Sequence, residues 1–299
     1  MTRRVLLTGA SGFVGHHVLD WWLEHTDDDI TCVCSWRHKG DPQRLTGLAS
    51  FHRHRDRVEI VTHDLTAPIP PLGNFDVILH LASESHVDRS IADPRPFVEN
   101  NIASTLSVLE YVRQRNHSLF VLFSTDEVWG DRGEGPSNPY AASKAAQENL
   151  ALAYQRTYGL RLTITNSNNI IGTGQDPEKF VPKIIRQIRA GEMVTIHAHQ
   201  GVIGSRIWNP VGNVTDALGF IIDRGLIGQY ATSGGVELTN AEMAFRVADA
   251  LDLPLHYRIE EVGSLRPGYD TEYAMVGGDL GEYGWTAPVE LEQALKELA

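Results

Sequence analysis

Between Phe123 and Lys144 the chain carries Ser124, Thr125, Asp126, Glu127, Tyr140 and Lys144, which together supply hydroxyls, paired carboxyls, a phenol and an amine. The apolar run Leu119-Phe120-Val121-Leu122-Phe123 reads as a buried parallel strand, with the polar group at its carboxyl end. In open α/β sheets ligands bind at that end of a strand. Asn138 caps the next helix and Pro139 suits its first position. Tyr140 and Lys144 then lie four apart on one helical face. An ammonium beside a phenol stabilises the phenolate, so the tyrosine pKa is expected to fall toward neutrality and the side chain to act as a base. A Tyr-x-x-x-Lys pair alone is common on surface helices. It gains meaning from the strand-end acids and from what precedes them.

The elements that position these groups follow an alternating strand–helix order. Val5-Leu6-Leu7 is a first strand. Thr8-Gly9-Ala10-Ser11-Gly12-Phe13-Val14-Gly15 follows at once, and a helix is expected from about Gly12 to Glu24. Strand, glycine-rich turn and helix form the context of a dinucleotide-binding fingerprint, in which the glycines let the backbone approach a pyrophosphate at the helix N-terminus. Ile30 to Cys34 is a second strand. An acid that holds the adenosine ribose of NAD normally follows, but here Ser35, Trp36, Arg37, His38 and Lys39 stand instead. Arg37 and Lys39 could meet a 2′-phosphate, so the cofactor is expected to be NADP or NAD, with a lean toward NADP. Val58 to Val61 is a third strand, with Asp64 and Leu65 beyond it, and the Asp64 carboxylate can accept from an adenine amino group. Phe75 to Ala82 is a fourth strand. Helices are expected at about Pro96–Arg113 and Pro139–Tyr158.

This order implies an α/β fold with a doubly wound parallel Rossmann sheet. After Tyr158 the rhythm changes to short strands and glycine-rich turns, with helices at about Pro177–Ala190, Val214–Arg224 and Asn240–Leu251. A dinucleotide-binding domain is expected over 1–165, with later returns at about 205–240. Residues 166–299 would form most of a smaller, discontinuous substrate lobe.

Composition sets the outer limits. The chain has 299 residues, 42% hydrophobic and 21% charged, with a formal net charge of −12. That balance speaks against nucleic acid or an anionic membrane as a partner. Cys32 and Cys34 lie on one strand with side chains on the same face, poorly placed to bridge, and read as buried thiols of a reducing compartment. No apolar run is long enough to span a membrane. The basic start before Val5-Leu6-Leu7 is cut short by the Gly9 turn, so the expectation is a cytoplasmic protein. The 13 histidines include His16-His17, His52-x-His54 and His197-x-His199, but none comes with the acidic or cysteine partners of a metal site, and no metal is expected.

The glycine turn, the Tyr140-x-x-x-Lys144 pair and Ser124-Thr125 resemble the extended short-chain dehydrogenase/reductases. Within them the chain is similar to the nucleotide-sugar 4,6-dehydratases, above all the dTDP-glucose type. The similarity rests on Leu81 to Ile91 (LASESHVDRSI), Ser124 to Val128, Tyr158-Gly159-Leu160, Asn166 to Asn169, Pro177-Glu178-Lys179 and Arg266-Pro267-Gly268. The resemblance implies a redox-neutral dehydration of a nucleotide-diphosphate sugar. Tyr140 would take the O4 proton, and Lys144 would lower its pKa and hold the nicotinamide ribose. Thr125 would bond the developing carbonyl, Glu127 would take the C5 proton, and Asp126 would protonate the leaving C6 hydroxyl. Neighbouring acids favour the required mixture of one ionised and one protonated carboxyl.

By the same resemblance Gly9, Gly12, Phe13, Val14, Gly15, Ser35, Arg37, Asp64, Leu65, Leu81, Ala82 and Ser83 would contact the cofactor. Ser85, His86, Arg89, Asn168, Asn169, Lys179, Arg206 and Arg266 would contact the substrate. Asn168 would meet its phosphates, and Lys179, Arg206 and Arg266 would line the diphosphate site. A homodimer is implied, through a four-helix interface built on Pro96–Arg113 and Pro139–Tyr158. The chain departs from the pattern in a shortened segment at Gly130–Asn138, in Ile207 after Arg206, and in the missing ribose-binding acid. Other readings are a nucleotide-sugar epimerase, a decarboxylase or a 5,6-dehydratase. A non-catalytic sensor of NADP redox state belongs to a different class, and such proteins generally lose the Tyr or the Lys.

Overall fold

The computed structural model describes residues 2–37, 39–115, 118–131, 133–261 and 277–299. Among them are the strands β1 (Arg4–Thr8), β2 (Asp29–Cys34), β3 (Val58–Thr62), β4 (Val77–His80), β5 (Leu119–Thr125), β6 (Arg161–Ser167), β7 (Asn169–Ile171), β8 (Val194–His199), β9 (Val202–Ile203), β10 (Ser205–Pro210), β11 (Gly228–Ala231), β12 (Val236–Thr239) and β13 (Tyr257–Glu261). Seven of them form one sheet in the order β11-β6-β5-β4-β1-β2-β3. Every pairing in it is parallel. The order runs one way from β1 to β3 and the other way from β4 to β11. The reversal between β1 and β4 opens the crevice in which such sheets bind ligands.

Alternation along the strands builds a core on each face. Val5, Leu7, Val77, Leu79, Leu119 and Val121 face one side, packed with Leu19, Trp22, Val214 and Leu218 from the helices Phe13–His25 and Val211–Arg224. Leu6, Ile78, Phe120 and Leu122 face the other, against Val108, Leu109 and Val112 of the helix Ala103–Arg113 and Ala151 of Pro139–Tyr158. These strands are apolar on both faces because helices cover both, as a parallel sheet requires.

A second lobe has its own core around Ile171, Val181, Ile184, Val194, Trp208, Met243, Val247 and Leu291. Two three-stranded sheets frame it, β12-β10-β7 and β13-β8-β9. The return to the large sheet is narrower than the expected 205–240. It comprises the helix Val211–Arg224 and β11, whereas β10 and β12 pair with each other and β10 with β7. Hydrophobic pattern alone does not tell which sheet a short strand joins.

The expected single helix over Pro96–Arg113 differs as well. It is a turn at Arg95–Phe97, a π-helical segment at Val98–Ile102 and an α-helix at Ala103–Arg113. The wider turn surrounds Asn101, which is fully buried. π-Helical turns of this kind recur at functional sites.

Candidate active site at the carboxyl ends of β1, β4 and β5

A cleft of about 280 Å³ runs from the glycine turn after β1 to Tyr140 and Lys144. Gly9 holds φ +75°, and a Cβ there would lie 2.7 Å from the Ala82 nitrogen. At Gly15 a Cβ would lie 2.0 Å from the Gly9 carbonyl oxygen. A side chain at Gly9 would collide with the backbone after β4, and one at Gly15 would push the helix off the turn, so both sites require glycine. The helix N-terminus behind them has Gly12 as its cap with no side-chain cap bond. This cradle of bare backbone fits a dinucleotide pyrophosphate. Gly9, Gly12, Phe13, Val14, Gly15, Ser35, Arg37, Asp64, Leu65, Leu81, Ala82 and Ser83 all line the cleft, as do Ser85, His86, Arg89 and Lys179.

The floor is cross-linked by buried polar groups. Thr8 Oγ1 accepts from the Leu81 and Ala82 amides, each at 3.2 Å. Its own proton therefore goes to His80 Nδ1 at 2.8 Å, leaving His80 Nε2 to donate to Thr105 at 3.0 Å. Burial lowers the His80 pKa to about 3, so the ring is neutral. Asn101 was missed by the sequence reading. Its carboxamide accepts from the Glu84 amide at 2.7 Å and donates to the Glu84 carbonyl and to Ser143 Oγ at 3.1 and 2.8 Å. It pins the loop after β4 to the Tyr140 helix, and only the π-turn could have announced it.

Tyr140 and Lys144 line the inner end, and Thr125 and Asp126 lie beside the Tyr140 phenol; Tyr140, Lys144, Thr125 and Asp126 have 7%, 4%, 8% and 3% of their surfaces exposed. Asn138 caps the helix through a bond from the Ala141 amide at 2.9 Å. The Tyr140 backbone N–H donates to Ser90 Oγ at 3.1 Å. Asp126 and Glu127 open a 3-10 turn directly after β5. Asp126 accepts from Thr125 Oγ1 at 3.1 Å and from Asn168 Nδ2 at 3.0 Å. Burial nevertheless raises its pKa to about 6, against bonds from Asn168 and Thr125 and the nearby Arg206 charge. Asp126 can therefore hold a proton near neutrality, as a general acid must.

The expectation for Tyr140 is corrected. Its pKa is raised, first by burial and then by the Glu127 carboxylate, while Thr125 beside the phenol pulls it back. Lys144, whose ammonium donates to the Phe123 carbonyl at 2.7 Å, is not among the groups that shift it. Lys144 is itself lowered to about 8 by burial, opposed by Glu148.

At the outer end the basic residues are paired. Arg37 makes an ion pair with Asp64, and Lys39 one with Asp176. Asp64 also accepts from the Thr66 amide and hydroxyl at 3.0 and 2.9 Å. Arg89 grips both Glu178 oxygens at 2.8 Å, and His86 Nε2 lies 3.2 Å from Glu178. Lys179 donates to the Ser85 carbonyl at 2.9 Å. Asn168, expected at a phosphate, is turned inward to Asp126. Asn169 is in β7, in register with Trp208 of β10. Arg206 of β10 donates to the Ser205 carbonyl at 2.6 Å. Arg266 lies outside the described residues. The shortened Gly130–Asn138 segment closes through a bond from the Gly135 amide to the Trp129 carbonyl at 2.7 Å. Among the described residues no group of three or more His, Cys, Asp or Glu is placed to hold a metal ion, and no helix is long and apolar enough to cross a membrane.

A doubly wound sheet, a bare-backbone turn at its crevice and a buried Tyr–Lys helix define an enzyme of the extended short-chain dehydrogenase/reductase class. The chain belongs to the NAD dependent epimerase/dehydratase family, whose family model matches residues 5–225. It is 31% identical to a dTDP-glucose 4,6-dehydratase of Haemophilus influenzae, over 98% of this chain and 96% of the relative. It is 32% identical to the low-salt glycan biosynthesis protein Agl12 of Haloferax volcanii, again over 98% and 96%. Its fold matches the dTDP-glucose 4,6-dehydratase DesIV of Streptomyces venezuelae, solved with NAD bound, with a TM-score of 0.86, 30% identity and coverage of 98% and 94%. It also matches the Thermus thermophilus UDP-glucose 4-epimerase in complex with NAD, with a TM-score of 0.83, 25% identity and coverage of 98% and 96%.

Proposed function

We propose that the protein dehydrates a nucleotide-diphosphate sugar through a 4-keto intermediate, with a nicotinamide cofactor. The observation that carries this reading is the buried Asp126 beside Glu127, held toward its protonated form and close enough to Tyr140 to act on its phenol. An epimerase needs no such acid–base pair. The nicotinamide, when bound, would supply the hydride acceptor. Tyr140 takes the O4 proton as the sugar is oxidised at C4. Thr125, next to the phenol, bonds the developing ketone. The C5 proton, now acidic beside that ketone, goes to Glu127. Asp126 gives its proton to the departing C6 hydroxyl, water leaves, and C6 would then take back the hydride removed from C4 while C5 takes back a proton, so that the cofactor ends oxidised. Lys144 has three donors, of which Phe123 uses one, leaving two for ribose hydroxyls.

The bound NAD in the related structures supports NAD as the cofactor. The Arg37–Asp64 pair weighs against the expected lean to NADP, because a 2′-phosphate would meet a guanidinium already neutralised beside a carboxylate. Named relatives that act on dTDP-glucose support a nucleotide-diphosphate sugar as substrate. Exposed Val98, Leu106 and Tyr158 along the Asn101 and Tyr140 helices support a homodimer, and the buried free thiols Cys32 and Cys34 support a reducing, cytoplasmic setting.

Substrate deuterated at C4 tests the reaction. The product should carry that deuterium at C6 and solvent deuterium at C5, with no net reduced cofactor. Label retained at C4 would overturn dehydration in favour of epimerisation.

A further inference from the structure

Glu148 lies one turn beyond Lys144 on the Pro139–Tyr158 helix, and the dehydration scheme gives it no task. It is 8% exposed. One carboxylate oxygen accepts from Asn166 Nδ2 at 2.7 Å and the other from Gln229 Nε2 at 3.3 Å. Gln229 also donates to Asn166 Oδ1 at 2.9 Å, and Asn166 donates to the Thr125 carbonyl at 3.0 Å. Burial pushes the Glu148 carboxyl up, and these donors together with the Lys144 charge oppose that shift in favour of the ionised form.

Lys144 has the opposite problem. It is 4% exposed and its ammonium is held by a neutral carbonyl. Burial on those terms favours loss of the proton. The titratable groups around it are His80 on β4, Tyr140 one turn earlier, Asp126 and Glu127 after β5, and Glu148. His80 is neutral, Tyr140 and Asp126 are both shifted toward their neutral forms, and Glu127 bears on Tyr140. Glu148 is the charge that opposes the effect of burial on Lys144.

We propose that Glu148 is a positioning residue whose carboxylate, fixed by Asn166 and Gln229, keeps Lys144 protonated in its buried seat and so available to the cofactor. The importance of this charge rests on the reading of Lys144 given above, but the charge itself is measured without substrate. Gln229 belongs to β11, so a strand from late in the chain sets the protonation of a residue on the central helix.

The chain has five lysines, which makes 13Cε-lysine NMR direct, with Lys144→Met assigning the resonance. Lys144 should titrate near 8 in the wild type. Glu148→Gln should lower that midpoint by about one unit, and the alkaline limb of turnover should move down with it. Glu148→Asp should restore most of the shift. Gln229→Leu should give a smaller shift in the same direction, and it keeps the test open if Glu148→Gln fails to fold. A Lys144 midpoint unchanged in a folded Glu148→Gln, or in Gln229→Leu where the former does not fold, overturns the proposal. Absence of dehydrated product with the lysine shift present would instead count against the dehydratase reading alone.

Discussion

The two ends of the site treat their titratable groups differently. Around the inner end Tyr140 and Lys144, and Asp126 and Glu148 behind them, are nearly water-free, and each has its pKa displaced by burial. At the outer end Arg37, Lys39 and Arg89 keep 57%, 46% and 47% of their side chains exposed and sit in ion pairs. Buried charges have few partners and each partner shifts the others, so proton affinities at the inner end are displaced in the way the proposed acid–base chemistry would need. Exposed pairs contribute roughly 0–1 kcal/mol each and weaken with salt. The outer end can thus rearrange around a ligand at little energetic cost.

The largest expected effect is at the inner end. Tyr140→Phe keeps the ring and removes the proton acceptor, and turnover should fall by about 10³-fold or more with cofactor still bound. Activity near wild type would break the contrast at its strongest point. Glu127→Gln should stall after oxidation, so that reduced cofactor and a 4-keto sugar bearing its 6-hydroxyl accumulate in rapid-quench samples.

Next comes Gly15→Ala. Its Cβ meets the Gly9 carbonyl at 2.0 Å, a backbone atom that cannot turn away. Stability should drop by about 1–3 kcal/mol in urea unfolding, with cofactor binding weakened more.

Asp126→Asn sharpens the comparison through pH. The folded pKa of about 6 lies above the ordinary 3.8, so the folded chain holds this proton more tightly than the unfolded chain. Its contribution to stability is complete below the ordinary value and is lost as pH rises through about 6. Asp126→Asn should therefore slow water loss while raising stability at pH 7 by about 1–3 kcal/mol. Equal melting temperatures at pH 4 and a gap at pH 7 would bear this out, and a destabilised variant at pH 7 would contradict it.

The smallest effect is expected at the mouth. Arg37→Ala should change stability by less than about 0.5 kcal/mol. With Asp64 engaging Arg37, the loss in NADP binding should be no larger than the loss in NAD binding. A selective loss of NADP would show that the pair opens for a 2′-phosphate.

How much of this was legible depended on whether the signal was local. The glycine turn, the Asn138 cap and the Tyr140–Lys144 spacing are properties of a few consecutive residues, and periodicity separated strands from helices. The sheet kept the expected parallel, doubly wound form because apolar runs covered on both faces have few other ways to pack. Tertiary structure decided what depends on partners distant in sequence. The π-turn exists around Asn101, whose partners are Glu84 and Ser143. The strands β10 and β12 join β7 rather than the large sheet because the second lobe's core calls for a covering layer there. Lys144 was expected to lower the Tyr140 pKa, yet burial raised the phenol, since desolvation is set by every neighbour at once. The residue types and their order determined that acid–base chemistry could occur at the end of β5. Which carboxyl keeps a proton and which cation keeps its charge was settled by burial and hydrogen bonds among segments as far apart as Asn166 and Gln229, because electrostatic energies depend on distance and dielectric, which a linear sequence does not contain.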